Sequence, residues 1–294
     1  MAETAFQGVN GILADRDKGF RHTLYSMLRP MGFMTLAHTD NLDEIRDAVS
    51  ENRVDLVVAD VNVGEERLLE LVRRLRHQEI GVNPFIVVIV LAADPHPETV
   101  HRIIDSGTDA LLVKPVAAGA LIDRLKYLSA NRKGFVVTTD YVGPDRRSAP
   151  RPGTQQIPLI AVPNPLSSAD RSDGNAYHKA IEAAIREINE QKVQRHAFQI
   201  GYLVNRIAPA YLMGDPVDDI RADLERLLMV ADDLVRRLPD SQCAHMVKVC
   251  VSVRQIAERV HARMEKPDVE DVRRMPELAT QLRKGCEAAA AASA

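Results

Sequence analysis

Residues 54–63 read VDLVVADVNV, and the fold turns on how this stretch is taken. Five of its first six residues are apolar, and the run ends on Asp60. A run apolar on both faces suits a central strand of a parallel sheet, because a sheet wet on one side would alternate apolar with polar. Four other runs are similar: VNGILAD (9–15), FMTLAH (33–38), FIVVIVLA (85–92) and DALLV (109–113). Amphipathic patterns over 17–30, 41–51, 65–78, 96–106 and 117–129 predict helices between and after them. Strand and helix alternating in this way imply right-handed crossovers and a doubly wound, five-stranded parallel α/β sheet. Such sheets bind ligands beyond the carboxyl ends of their strands. Attention therefore falls on the residues that end the runs: Asp15, Asp60, Ala92 and Lys114.

The chain has 294 residues, enough for two domains, and a formal net charge of −3. That balance gives no global attraction to nucleic acid or anionic membrane. No apolar run is long enough to span a bilayer, and the first residues lack a basic region followed by an apolar one. Three cysteines without CxxC spacing, Cys243, Cys250 and Cys286, suggest reduced thiols in a cytoplasmic protein. The expected organisation is an α/β domain over 1–130, a Pro/Gly-rich linker over 131–172, extended and irregular, and an all-α helical domain over 173–294. Within the linker, GFVVTTDYV and IPLIAV are apolar enough to lie against a domain. Gly143-Pro144-Asp145 reads as a turn, and Arg146, Arg147 and Arg151 as a small basic spot of solvated charge.

Two carboxylates and an ammonium converging at one sheet edge suit phosphoryl transfer. A carboxylate attacks phosphate poorly unless a cation neutralises the incoming charge. Magnesium prefers oxygen ligands, and a lysine can hold a phosphate oxygen as a point charge. With DLVVADVNV, IIDSGTDALLVKPV and ILADRDKGFR in hand, the first 130 residues resemble a response-regulator receiver domain of the chemotaxis-regulator type, with a flavodoxin-like fold. The resemblance implies that Asp60 is the phosphoacceptor and that Lys114 contacts the phosphate. It implies that Asp15, Asp60 and the backbone carbonyl of Asn62 hold Mg2+, and that the Lys114–Pro115 bond is cis.

The pocket departs from the family pattern at three positions. Arg16 stands where a second acid is expected. Its guanidinium either pairs with Asp15 and Asp60 in place of the metal or turns outward to water. Asp17 either supplies the missing ligand or caps the first helix. Ala92 stands where the family has a switch hydroxyl, and Leu111 where it has an aromatic. These changes predict a degenerate receiver that binds Mg2+ weakly or not at all.

In the second half, DPVDDIRADLERLLMVADDLVRRL (215–238) carries one apolar stripe, with Asp215 as cap and Pro216 in the first turn. Further helices are predicted over 175–191, 195–212, 241–264 and 269–291, with Pro276 kinking or restarting the last and a fraying Ala-rich end. Short connections favour a helical bundle. His245 and Lys248 have the spacing of a histidine phosphotransfer helix, but Val249 replaces the usual glycine, and an ordinary amphipathic helix accounts for the same residues. DYVGPDRR (140–147) resembles a segment of proteobacterial receiver-containing proteins. No basic recognition helix appears, and Asp218, Asp219, Asp223, Asp232 and Asp233 would repel DNA phosphates. No phosphate-cradling glycine loop or hydrolase motif marks an enzymatic output. The expected function is that of a two-component signalling adaptor. Its partner would be a sensor histidine kinase or another signalling protein, and its helical module would dimerise or dock that partner. The alternative is a phosphorelay protein in which Asp60 and His245 exchange phosphate.

Overall fold

The computed structural model describes residues 5–64, 67–93, 96–147, 158–214 and 220–292. The chain divides into two units, Met1–Ile185 and Arg186–Ala294. In the first, β1 (Asn10–Ala14), β2 (Thr35–Thr39), β3 (Leu56–Asp60), β4 (Val87–Ala92) and β5 (Ala110–Val113) form a parallel sheet in the order β2-β1-β3-β4-β5. Order reverses at β1, between β2 and β3, so the crevice that a doubly wound sheet offers a ligand lies at the carboxyl ends of β1 and β3. The helices are α1 (Lys18–Leu28), α2 (Leu42–Ser50), α3 (Arg67–Arg76), α4 (Pro97–Asp105) and α5 (Ala118–Asn131). Alternate strand residues face opposite layers. Leu13, Val58, Ile89 and Leu91 pack with Leu24 and Leu28 of α1 and Leu121 and Leu125 of α5. Ile12, Val57, Val88 and Val90 pack with residues of α2, α3 and α4. β3 and β4 are buried along their whole length, as their unbroken apolar runs require.

The segment 131–172 corrects the linker expectation, because much of it is ordered within the first unit. β6 (Phe135–Val137) and β7 (Val142–Pro144) form an antiparallel hairpin, and Ile160 bridges Phe135 on the other side. The turn is set by Thr138, not by Gly143-Pro144-Asp145. The Thr138 N–H donates to the Tyr141 carbonyl (2.8 Å), and its Oγ1 accepts from the Tyr141 N–H (3.0 Å). Gly143 then lies in β7, where a Cβ would come within 2.8 Å of the Gly107 Cα and 2.7 Å of the Tyr141 hydroxyl. The Tyr141 hydroxyl donates to the Pro144 carbonyl (2.8 Å). The predicted basic spot is neutralised: Arg146 pairs with Asp105 at the end of α4, and Arg147 with Asp145 (2.9 Å). Arg151 lies outside the described residues.

A buried charge cluster ties this appendage to the amino-terminal end of the sheet. Asp109 accepts from Arg76 Nη2 (2.9 Å), Arg132 Nε (2.9 Å) and the Val88 N–H (2.8 Å). Arg76 is fully buried, and it also donates to the carbonyls of Gly107 (2.9 Å) and Ile86 (2.8 Å). Arg132 reaches the carbonyls of Phe85 (2.6 Å) and Pro163 (2.9 Å). Each guanidinium lies 5.3 Å from the centre of the Phe135 ring. Family resemblance could not foretell the contacts of Arg132, since it ends before that residue.

The second unit is helical: α6 (Gly174–Met213), within which the division between units falls, α7 (Ile220–Arg237), α8 (Val247–Ala262) and α9 (Val269–Ala291). Residues of all four share one core, including Ile200, Val204, Leu227, Leu234, Val253, Ile256, Met275 and Leu282. The two helices expected over 175–191 and 195–212 are one. No breaker lies between them, and Lys192, Val193, His196 and Ala197 continue the buried stripe. Ser241 does not open α8, because residues Ala244–Met246 form a tighter 3-10 turn that buries Cys243 and Met246 at the spacing such a turn brings together. Pro276 lies inside a continuous α9 and does not restart it. Asp215 and Pro216 lie outside the described residues. All three cysteines are free and buried.

The helical core contains a polar group of its own. His196 is 2% exposed, and its Nε2 lies 2.6 Å from Asp233 Oδ2. Arg237 Nε donates to the same oxygen (2.9 Å). Burial holds the imidazole below its ordinary pKa despite the Asp233 contact, with Lys192 and Arg237 adding repulsion. The unfolded chain therefore takes up a proton that the buried ring resists. Stability from this site is full above about pH 6.5 and declines as pH falls below it. Urea midpoints at about pH 7.5 and about pH 5.5 should show that decline, and His196→Gln should flatten it. An equal slope in the variant would assign the decline to other groups.

Candidate functional site

Three strands bring three predicted residues together. Asp15 follows β1, Asp60 ends β3 and Lys114 follows β5. Asp15 and Asp60 are 3% and 5% exposed. Lys114 Nζ pairs with Asp15 Oδ2 and with Asp60 Oδ2, the latter at 2.5 Å. Its position is fixed from three sides. The Lys114 N–H donates to the Ala92 carbonyl (2.8 Å), the next peptide bond, to Pro115, is cis, and the ammonium sits 4.6 Å from the centre of the Phe20 ring. Burial alone would lower the Lys114 pKa, but hydrogen bonds to Asp15 and Asp60 outweigh it and hold the group above its ordinary value, so the bridge is charged at neutral pH. Two buried carboxylates against one ammonium leave a net negative charge.

The loop after β1 settles the roles left open by sequence. Asp17 is the helix cap: its Oδ1 accepts from the N–H groups of Gly19 (2.8 Å) and Phe20 (3.1 Å). The Asp17 N–H in turn donates to Asp15 Oδ1 (2.9 Å). Arg16, between them, is exposed. The cation that bridges the carboxylates is Lys114. Sequence reasoning missed Arg21, which is buried, donates to the Asp15 carbonyl and pairs with Asp40 (3.2 Å). Its signal was a cation one turn into α1, on the side facing the β1 end.

The other positions fall around this group. The Asn62 N–H donates to Asp60 Oδ1 (2.8 Å), which orients the carboxylate. Ala92 is buried at the end of β4, and Leu111 packs against the same core cluster. A cavity of about 170 Å³ beside them is lined by Asn62, Ala92, Thr99 and Arg102, among others. His245 lies apart in the second unit, exposed on the 3-10 turn before α8 and not on the helix. Among the described residues, no three His, Cys, Asp or Glu side chains cluster as a metal site. The donors that suit magnesium are Asp15, Asp60 and the Asn62 carbonyl, and the unbalanced negative charge fits a hard cation that keeps several waters. When bound there, it would neutralise charge on an incoming phosphoryl group.

Comparison with known proteins bears on the domain that carries this arrangement. Residues 12–126 match the family model of the response regulator receiver domain. That part of the chain is a receiver domain of two-component signalling. The sensory/regulatory protein RpfC of Xanthomonas campestris pv. campestris is 28% identical over 122 residues, which are 42% of this chain and 17% of that protein. The transcriptional regulatory protein PrrA of Mycobacterium tuberculosis is 31% identical over 128 residues, 44% of this chain and 52% of the relative. The matches thus span from 17% to about half of the length of these curated relatives. A response regulator from Thermotoga maritima of known structure is 24% identical, covering 42% of this chain and 99% of that one, with a TM-score of 0.37. The family match to the receiver ends at residue 126, short of the hairpin and the helical unit. No helix among the described residues is long and apolar enough to cross a membrane.

Proposed function

We propose that the chain is a response-regulator-type signalling protein whose receiver accepts phosphate on Asp60 slowly, and whose helical unit docks a partner or a second copy. The observation that carries this reading is the Lys114 bridge between Asp15 and Asp60, with no third acid joining it among the described residues: Asp17 is committed to the helix end and Arg16 is exposed. Acceptor and lysine are in place. The second metal-binding acid and the hydroxyl at Ala92 are not. On this reading degeneracy comes from the missing second acid, and the cation that bridges the two carboxylates is Lys114. A sensor histidine kinase or another signalling protein is the partner class. Exposed Phe198 and Tyr202, one turn apart on α6, support a docking role for the helical unit. His245 stands off the helix, which weighs against the phosphorelay alternative.

The test is incubation of the full chain with labelled acetyl phosphate and magnesium. Asp60 should gain label slowly and substoichiometrically, and Asp60→Asn should gain none. Rapid stoichiometric labelling would contradict degeneracy. Light scattering on the same samples reads self-association, and a monomer at every concentration would remove the homodimer from the reading.

A further inference from the structure

Two of the three cysteines are neighbours inside the helical unit. Cys243, which opens the 3-10 turn Ala244–Met246, and Cys286, on α9, are both fully buried and lie 43 positions apart in the chain. The Cys243 thiol donates to the Cys286 carbonyl (3.9 Å), and the two thiols are hydrogen-bonding neighbours of each other. The Gln194 amide of α6 spans the pair: its Nε2 donates to the Cys286 carbonyl (2.9 Å) and to Cys243 Sγ (3.8 Å). Beside Cys286, Gly285 lets the turn come close, since a Cβ there would clash with the Met246 sulfur. The turn and α9 are therefore pressed together at this point. Cys250 is engaged elsewhere, with its thiol 3.8 Å from the Ala231 carbonyl. A buried cysteine by itself is a small apolar filler. Two in contact, drawn from segments far apart in sequence, add a chemistry that one lacks.

We propose that Cys243 and Cys286 are a reversible dithiol/disulfide pair, oxidised by a low-molecular-weight disulfide, whose closure ties the 3-10 turn to α9. In the first step the thiolate of one cysteine bonds to a sulfur of the small disulfide, and the bond between the two small-molecule sulfurs breaks. The departing sulfur keeps the bonding electrons and takes up the proton that the cysteine gave to solvent. In the second step the other cysteine, also as thiolate, bonds to the protein sulfur of the mixed disulfide and expels the second small thiol in the same way. The two cysteines lose two electrons and two protons, and the small disulfide gains both. Burial sets the pace. It holds both thiols above their ordinary pKa, so the reacting thiolate is scarce while the core is closed. Cys243 reaches solvent when its own turn opens, and Gln242, Ala244 and His245 around it are already exposed. The pair is reduced in the closed unit and oxidises as that turn opens.

Incubation of the full chain with oxidised glutathione, followed by mass-spectrometric peptide mapping without reductant, tests it. One intramolecular disulfide should join the peptides that carry Cys243 and Cys286. It should form slowly in buffer, faster in urea below the unfolding transition, and revert with dithiothreitol. At a given urea concentration the oxidised chain should have an unfolded-to-folded ratio about 30-fold below that of the reduced chain, the low end of what a native disulfide does. Cys250→Ala should keep the link, and Cys243→Ala and Cys286→Ala should each abolish it. Urea midpoints of the reduced variants show whether they fold, and the wild-type map decides the pairing if they do not. A link that includes Cys250, a glutathione adduct that never closes, or no reaction in urea below the transition would overturn the pair. A Cys243–Cys286 disulfide that leaves urea stability unchanged would overturn the tie.

Discussion

Asp109→Ala should destabilise the receiver-containing unit by about 3–5 kcal/mol, the loss expected when one partner of a buried ion pair is removed. Asp109 is 1% exposed at its side chain, and the two arginines it binds are 0% and 3% exposed. The substitution strands both guanidinium groups away from water and orphans the Val88 N–H. Burial already pulls Arg76 down to about 10, with Asp109 opposing that pull, so losing the carboxylate moves it further. Asp109→Asn keeps an acceptor and removes the charge, so it separates hydrogen bonding from electrostatics. Urea unfolding of the full chain measures the total, and hydrogen exchange at the β4 amides assigns it to this unit. A shift of under about 0.5 kcal/mol, the range of neutral surface changes, would show that the cluster is not holding the appendage.

That cluster marks where sequence reading stopped. Asp15, Asp60 and Lys114 were legible because each ends an apolar run, and runs buried on both faces leave little freedom in strand placement. Arg16 was not, because two readings of one long side chain differ only by rotation about flexible bonds. Asp17 was also left between two roles, and local geometry made it the cap, since it accepts two α1 amides. The hairpin was hidden for another reason. Gly143-Pro144 looks like a turn by composition, but Gly143 is there to let β7 approach Gly107, and Thr138 makes the turn instead. Arg76 and Arg132 lie 56 positions apart in the chain, and nothing local says that they share one carboxylate. The continuity of α6 was legible in principle, since Lys192 is no helix breaker, but a fully buried lysine does not look like part of an apolar stripe.

Arg16→Asp should raise magnesium affinity by about 10- to 100-fold, the scale on which changes beside a metal site act. The residue already occupies the exposed turn between Asp15 and the Asp17 cap, so an acid there adds a third carboxylate without disturbing the buried pair. It also removes a positive charge that opposes cation entry, and both changes act in one direction. The Lys114 bridge should persist, because it depends on Oδ2 of Asp15 and Asp60, which the substitution leaves untouched. Calorimetric titration of the full chain with magnesium reads the affinity, and acetyl phosphate labelling should quicken in parallel. Arg16→Ala separates the two contributions: it removes the opposing charge without adding a ligand, so it should recover only the smaller part of the gain. Equal affinities in wild type, Arg16→Ala and Arg16→Asp would mean that the position does not limit the metal. The slow chemistry would then have to come from Lys114 itself, whose ammonium already satisfies both carboxylates that a cation would need.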